Sequence, residues 1–222
     1  MKKLFCVAMI LFSVVACSQQ SGQKMVATKS VETIDVAAAL SKGQFQVSTM
    51  TSAVQASVVK DAGVVVKGVF KFGAGTLDLN STTSFLDVGI DVASFSSGQS
   101  VRDERVSRIF FETEQEIFKS ARFQTATLSA DLIAKLKTER KLDQITLTGS
   151  LSLHGATIPV TAVLNVNFDE SGVLVVTTAQ PIKIKISELS MNDQLSRLKA
   201  TCGHQVVNDE VVLDVHAELL PK

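Results

Sequence analysis

The chain has 222 residues and balances 22 Lys and Arg against 22 Asp and Glu, with neither sign gathered into a block. That balance leaves no basic footprint for a nucleic-acid partner. Hydrophobic residues make up 45% of the chain, with 12 phenylalanines and no Trp or Tyr, enough apolar material for one sizeable core.

Met1 to Ala16 opens with Lys2 and Lys3 and continues as an apolar run from Leu4 to Ala16 that stops on a small residue before a cysteine. This is the pattern of a secretory signal. The run of 13 residues falls short of the roughly 20 that a helix needs to cross the hydrocarbon core, so residues 1–16 are predicted to be removed. Val14-Val15-Ala16-Cys17 resembles a lipobox, with Val14 in place of the usual leucine. Cys17 is therefore the predicted lipidation site, and acylation of its thiol and freed amine makes a durable membrane anchor. Ser18 stands where an aspartate would, by resemblance to a sorting rule, hold the protein at the inner membrane. The expected location is the periplasm, lipid-anchored to the outer membrane.

Residues 17–30 carry the lipid and then a polar stretch without periodicity, SQQSGQKMVATKS, which reads as a flexible tether. Residues 31–222 are then a single domain. Cys6 leaves with the signal and Cys17 carries lipid, so Cys202 has no partner and no intramolecular disulfide is predicted.

Period-two alternation runs through most of the domain and marks strands with one apolar face. Weaker examples lie at 44–49, 54–60, 64–72, 75–80, 121–128, 173–179, 181–186 and 211–219. The clear ones are Leu86–Val92, Ile145–Leu153 and Ile158–Phe168, the last of which sets Ile158, Val160, Ala162, Leu164, Val166 and Phe168 on one side. Asp61-Ala62-Gly63, Gly73-Ala74-Gly75, His154-Gly155 and Asp169-Glu170-Ser171-Gly172 offer turn chemistry between strands, which predicts antiparallel hairpins.

Three stretches break the alternation. A helix is predicted from Ser100, as N-cap, to about Phe111, with Asp103 accepting backbone donors in the manner of a capping box. Others are predicted over Asp131–Arg140 and Ser187–Lys199. An all-β chain with a few short helices fits a closed antiparallel barrel, because closure removes exposed strand edges.

No nucleophile elbow, phosphate loop or His-Glu-x-x-His motif is present, and the histidines lie scattered at 154, 204 and 216. His154 reads as a solvated or hairpin-capping turn residue, and His216 as part of a polar strand face. Cys202-Gly203-His204 places a thiol and an imidazole two residues apart on an extended segment, which is half of a metal site. Its plainer reading is a buried thiol beside a polar turn. Arg102 and Asp103, with Arg105 and Arg108, form a charged helix start. An arginine fork there suits the oxygens of a lipid head, against the plainer reading of a cap with surface ion pairs.

Two blocks carry a family resemblance. Ile90-Asp91-Val92-Ala93-Ser94-Phe95-Ser96-Ser97-Gly98 leads through Arg102-Asp103 to Phe110-Phe111-Glu112, Phe118 and Phe123; the second block is Gly149-Ser150-Leu151-Ser152-Leu153-His154-Gly155-Ala156-Thr157-Ile158-Pro159-Val160. With Gly68-Val69-Phe70-Lys71-Phe72 and Thr76-Leu77-Asp78-Leu79, they resemble the YceI-like family of lipocalin-like, polyisoprenoid-binding periplasmic proteins over residues 64–219. Arg105 stands where the family tends to have histidine, Ile158 where it tends to have lysine, and Ile117-Phe118 in place of Tyr-Pro.

The resemblance implies an eight-stranded antiparallel lipocalin-like barrel whose long apolar interior holds a polyprenyl chain, such as a quinone tail or an isoprenoid carrier, without changing it chemically. A barrel of that size has room for packed side chains or one slender ligand. Candidate ligand contacts are Phe70, Phe72, Arg102, Asp103, Phe110, Phe111, Phe118 and Phe123. Two competing readings are an envelope interaction module with a packed core, and a metal protein built on Cys202 and His204.

Overall fold

The computed structural model describes residues 41–80, 85–125 and 127–222. The predicted signal segment, Cys17 and the tether lie outside these residues. Ten strands form one sheet, and each pairing is antiparallel. In chain order they are β1 (Gln44–Val47), β2 (Ala53–Lys60), β3 (Val64–Asp78), β4 (Phe85–Ser96), β5 (Ser120–Gln124), β6 (Lys141–Leu153), β7 (Ala156–Phe168), β8 (Leu174–Gln180), β9 (Ile182–Lys185) and β10 (Val207–Pro221). Helices lying wholly within the described residues are α1 (Ser100–Arg105), α2 (Ala130–Thr138) and α3 (Asn192–Cys202).

The ten strands fill eight positions around a closed barrel. Strands β2 to β8 are neighbours in sequence order, and β10 closes the ring by pairing with both β2 and β8. β1 prolongs the position of β2, pairing with β3 on one side and β10 on the other. β9 prolongs β8 along β10, with Ile182–Lys185 against Leu213–Glu210. Pro181 interrupts that position because it has no N–H to give a neighbouring strand.

The alternation read from the sequence is the inner face of the barrel. Ile158, Val160, Ala162, Leu164, Val166 and Phe168 of β7 are all buried, as are Val88 and Val92 of β4 and Leu147 and Leu151 of β6. Phe45 of β1 is fully buried and meets Phe168 at 5.9 Å between ring centroids, closing the core at one end. Three of the four proposed turns reverse the chain. Among them His154 and Gly155 take φ of 51° and 81°, as a two-residue turn joining right-twisted strands requires.

Gly73-Ala74-Gly75 is not a turn: β3 runs straight through it. Phe72 pairs with Ile90 while Gly75 pairs with Val88, so β3 holds one extra residue in a bulge. Burial shifts accordingly from Gly68, Phe70 and Phe72 to Gly75 and Leu77, as a one-residue slip demands. Glycine answers close packing here, since a Cβ on Gly75 would sit 2.7 Å from Val47 Cγ2. The strand expected over 121–128 stops at Gln124, where Thr125 Oγ1 accepts the Leu86 N–H at 3.0 Å and ends the pairing.

The helices also differ in detail. α1 is flanked by Gln99, and Ser100 is its first residue instead of its cap. Gly98, at φ 76°, folds the preceding loop back. Asp103 Oδ1 therefore accepts the N–H and hydroxyl of Ser97 at 2.8 and 2.5 Å and braces the turn before the helix. α1 then widens into a π-helical turn, Val106–Phe110. α2 is capped by Ser129, whose Oγ accepts the Leu132 N–H at 3.2 Å. The helix expected over Ser187–Lys199 is split: a 3-10 turn at Ser187–Leu189 ends on Ser190 at φ 58°, and α3 begins at Asn192.

Candidate functional site

Inward-pointing apolar side chains leave two cavities stacked along the barrel. The upper chamber, about 170 Å³, lies beneath α1 and α3 and is lined among others by Phe70, Phe95, Phe110, Phe111, Leu195 and Leu198. The lower chamber, about 150 Å³, is covered by Leu132 and Leu136 of α2 and lined by Phe72 and Phe123. Val54, Ile90, Leu151 and Leu213 border both. For scale, an engineered apolar cavity of about 150 Å³ stays dry and takes up one benzene.

The structure thus brings five of the six candidate phenylalanines to the interior, divided between the chambers. Phe70, Phe95, Phe110 and Phe111 form a cluster of rings at the upper chamber, with Phe70–Phe111 and Phe110–Phe111 in edge contact at 5.6 and 4.8 Å. Phe118 is the exception and lines neither chamber. It ends the short 3-10 turn Glu116–Phe118 and stacks on His154 of the β6–β7 turn, with centroids 3.8 Å apart.

Among the described residues, Lys67 and Arg102 line the upper chamber, while no polar side chain lines the lower one. Arg102 is steadied by Ser97, whose Oγ lies 3.4 Å from Nη1. Asp103 supports the same turn and does not line the cavity. Arg108 instead pairs with Glu104 and Glu114 on the surface, at 3.1 and 2.8 Å.

A polar cluster that the residue pattern did not reveal clasps α3 to the barrel. Glu112, at φ 52°, follows the double phenylalanine and turns its carboxylate toward three partners. His154 Nε2 lies 2.8 Å from Oε2, Gln194 Nε2 donates to Oε2 at 3.3 Å, and Arg197 Nη2 donates to Oε1 at 2.6 Å. Arg197, more than burial can oppose, holds the Glu112 carboxyl below the ordinary glutamate range, with Gln194 and His154 adding to the effect. Of the two readings of His154, solvated or hairpin-capping, the solvated one fails: it sits in the β6–β7 turn with its side chain only 9% exposed. Glu112 and His154 fall in the two sequence blocks that carry the family resemblance, the one signal that could have found them.

Cys202 and His204 are drawn apart. Cys202 ends α3, half-buried, and Gly203 at φ 69° turns the chain so that the segment is not extended. Arg105 Nη1 reaches the thiol at 3.9 Å, whereas His204 lies 2.9 Å from Asp61 Oδ2 and 3.1 Å from Lys60 Nζ. Among the described residues no third His, Cys, Asp or Glu completes a metal-holding group with them. His216 is exposed and lies 3.5 Å from Glu218.

Known structures share this architecture. The polyisoprenoid binding domain from Saccharophagus degradans implicated in plant cell wall breakdown superposes with a TM-score of 0.70 at 20% identity, over 80% of this chain and 98% of that one. BcnA of Burkholderia cenocepacia gives 0.54 at 25% identity, over 78% and 98%. No curated protein matches the sequence. The family description "YceI-like domain" matches residues 44–219, which takes in β1 and β2 ahead of the motifs that begin at Gly68. The eight-position barrel, its two sequence blocks and this match across most of the chain place the protein in the YceI-like family.

Proposed function

We propose that this protein binds an isoprenoid or related amphiphilic lipid inside its barrel, without chemically altering it, while anchored to the outer membrane from the periplasmic side through lipid on Cys17. The observation that carries this reading is the interior itself: two apolar chambers in line, with Lys67 and Arg102 at one end only. An amphiphile fits that polarity with its head beside Arg102 and its hydrocarbon directed toward α2. The relative from Saccharophagus degradans is described as polyisoprenoid binding, which favours a prenyl chain over other apolar ligands.

Each chamber is benzene-sized as it stands, so a long chain enters as facing side chains swing aside. Leu86, Phe110, Phe123 and Leu132 are only partly buried although they line the cavities, and they have the room to do so. Mass spectrometry of organic extracts from protein purified with its native membrane lipids tests the proposal. A co-purifying prenyl lipid in near-stoichiometric amount is the expected result; its repeated absence, with no uptake of added prenyl alcohols, overturns it. For the anchor, the expected result is a Cys17→Ser variant released from the membrane fraction, and a variant that stays bound defeats that part.

A further inference from the structure

We infer that the ring formed by Val54, Ile90, Leu151 and Leu213 is a chain-length selector, which decides how much of a bound prenyl tail passes from the upper chamber into the lower one. The inference rests on the lipid-binding reading above. Among the described residues these four alone border both chambers, so their side chains form the partition between them. They come from β2, β4, β6 and β10. β10 and β2 are adjacent, β6 lies across the barrel from them, and β4 stands between, two positions from β2 and two from β6, so the partition is a constriction closed from facing walls instead of a ledge on one side.

The rest follows from polarity and volume. Lys67 and Arg102 keep a polar head at the upper end. Below it the upper chamber has space, at about 170 Å³, for little more than a ring-sized group. Every further isoprene unit must cross the constriction and lie in the lower chamber, whose lining is wholly apolar. Burying one more methylene strengthens binding about fourfold. Affinity therefore climbs with tail length only while the passage to the lower chamber stays open.

The test titrates geraniol, farnesol and geranylgeraniol, each one isoprene unit longer than the last, into the full chain by calorimetry. Leu151→Trp and Val54→Phe both plug the constriction, and cooperative thermal melting shows which of the two folds. The chain has no tryptophan of its own, so Leu151→Trp also places a single fluorophore at the constriction. The expected wild-type result is affinity rising by about tenfold or more along the series. In a folded plugged variant the rise disappears, so that geranylgeraniol binds within about twofold of geraniol, whatever the bulkier side chain takes from the upper chamber. A plugged variant whose affinity climbs as steeply as the wild type overturns the inference, as does a flat wild-type series, which leaves the lipid-binding reading standing. A wild-type chain that binds none of the three overturns both.

Discussion

His154 Nε2 lies 2.8 Å from Glu112 Oε2 across 42 residues of chain, and both residues hold left-handed backbone, at φ 51° and 52°. Such a conformation costs a non-glycine residue of order 1–3 kcal/mol, and here it aims both side chains at the same point above the β6–β7 hairpin. Arg197 and Gln194 of α3 complete the clasp. Replacing Glu112 by Gln keeps the shape and removes the charge. The expected loss of stability is about 1–3 kcal/mol, read as a lower urea midpoint with an unchanged slope. A variant as stable as wild type would show that α3 is held by its leucines alone.

Acid should loosen the same clasp. The Glu112 carboxyl sits below its ordinary value, chiefly through Arg197, so its contribution is complete above the unfolded-state value and is lost as pH falls through the folded-state one. Asp87, held low mainly by Arg122, and Asp209, held low mainly by the Ser187 hydroxyl, act in the same direction. Urea midpoints should be level near neutrality and decline below about pH 4.5. The decline should be shallower in Glu112→Gln; equal slopes would mean that Glu112 does not contribute to it.

Two glycines invite a comparison. A Cβ on Gly149 would meet the Gln124 carbonyl oxygen at 2.5 Å, backbone that cannot rotate away, whereas one on Gly68 would meet the Phe95 ring at 2.1 Å. That ring borders the upper chamber and has space to swing into it. Gly149→Ala should therefore destabilise by about 1–3 kcal/mol or more, and Gly68→Ala by less. The second variant should instead bind prenyl alcohols more weakly, because the displaced ring takes up ligand space. Thermal melts beside calorimetric titrations separate the two effects.

Arg102 offers a test of ligand orientation. Farnesyl phosphate should bind Arg102→Gln about fivefold more weakly than wild type, equivalent to roughly 1 kcal/mol for a partly exposed ion pair. Farnesol should bind both proteins alike. Equal losses for the two ligands would put the head group elsewhere.

The inner face of the barrel was readable because a strand repeats every two residues without drift, so Ile158 to Phe168 declared its buried side directly. Gly73-Ala74-Gly75 misled because glycine marks both chain reversal and close backbone approach, and only the pairing of Gly75 with Val88 decides between them. The phenylalanines were recognisable as interior residues, except that Phe118 depends on a three-residue turn no periodicity announces. The Glu112 clasp was hidden for a different reason. It joins a π-helical turn, a hairpin and α3, and nothing local in any one segment names the other two.

β1 and the end of β10 meet at the lower rim, where Phe45 pairs with Pro221 and the Lys222 N–H donates to the Gln44 carbonyl at 3.0 Å. The helix α2 stands at the same rim, its Lys137 bound to Asn80 just beyond β3 at 2.9 Å. The first and the last of the described strands therefore both finish at the floor of the vessel, the end that α2 covers. Lys67 and Arg102, which line the upper chamber, stand at the opposite pole, so the two described strand ends and the only two charged side chains among the described lining residues sit a full barrel length apart.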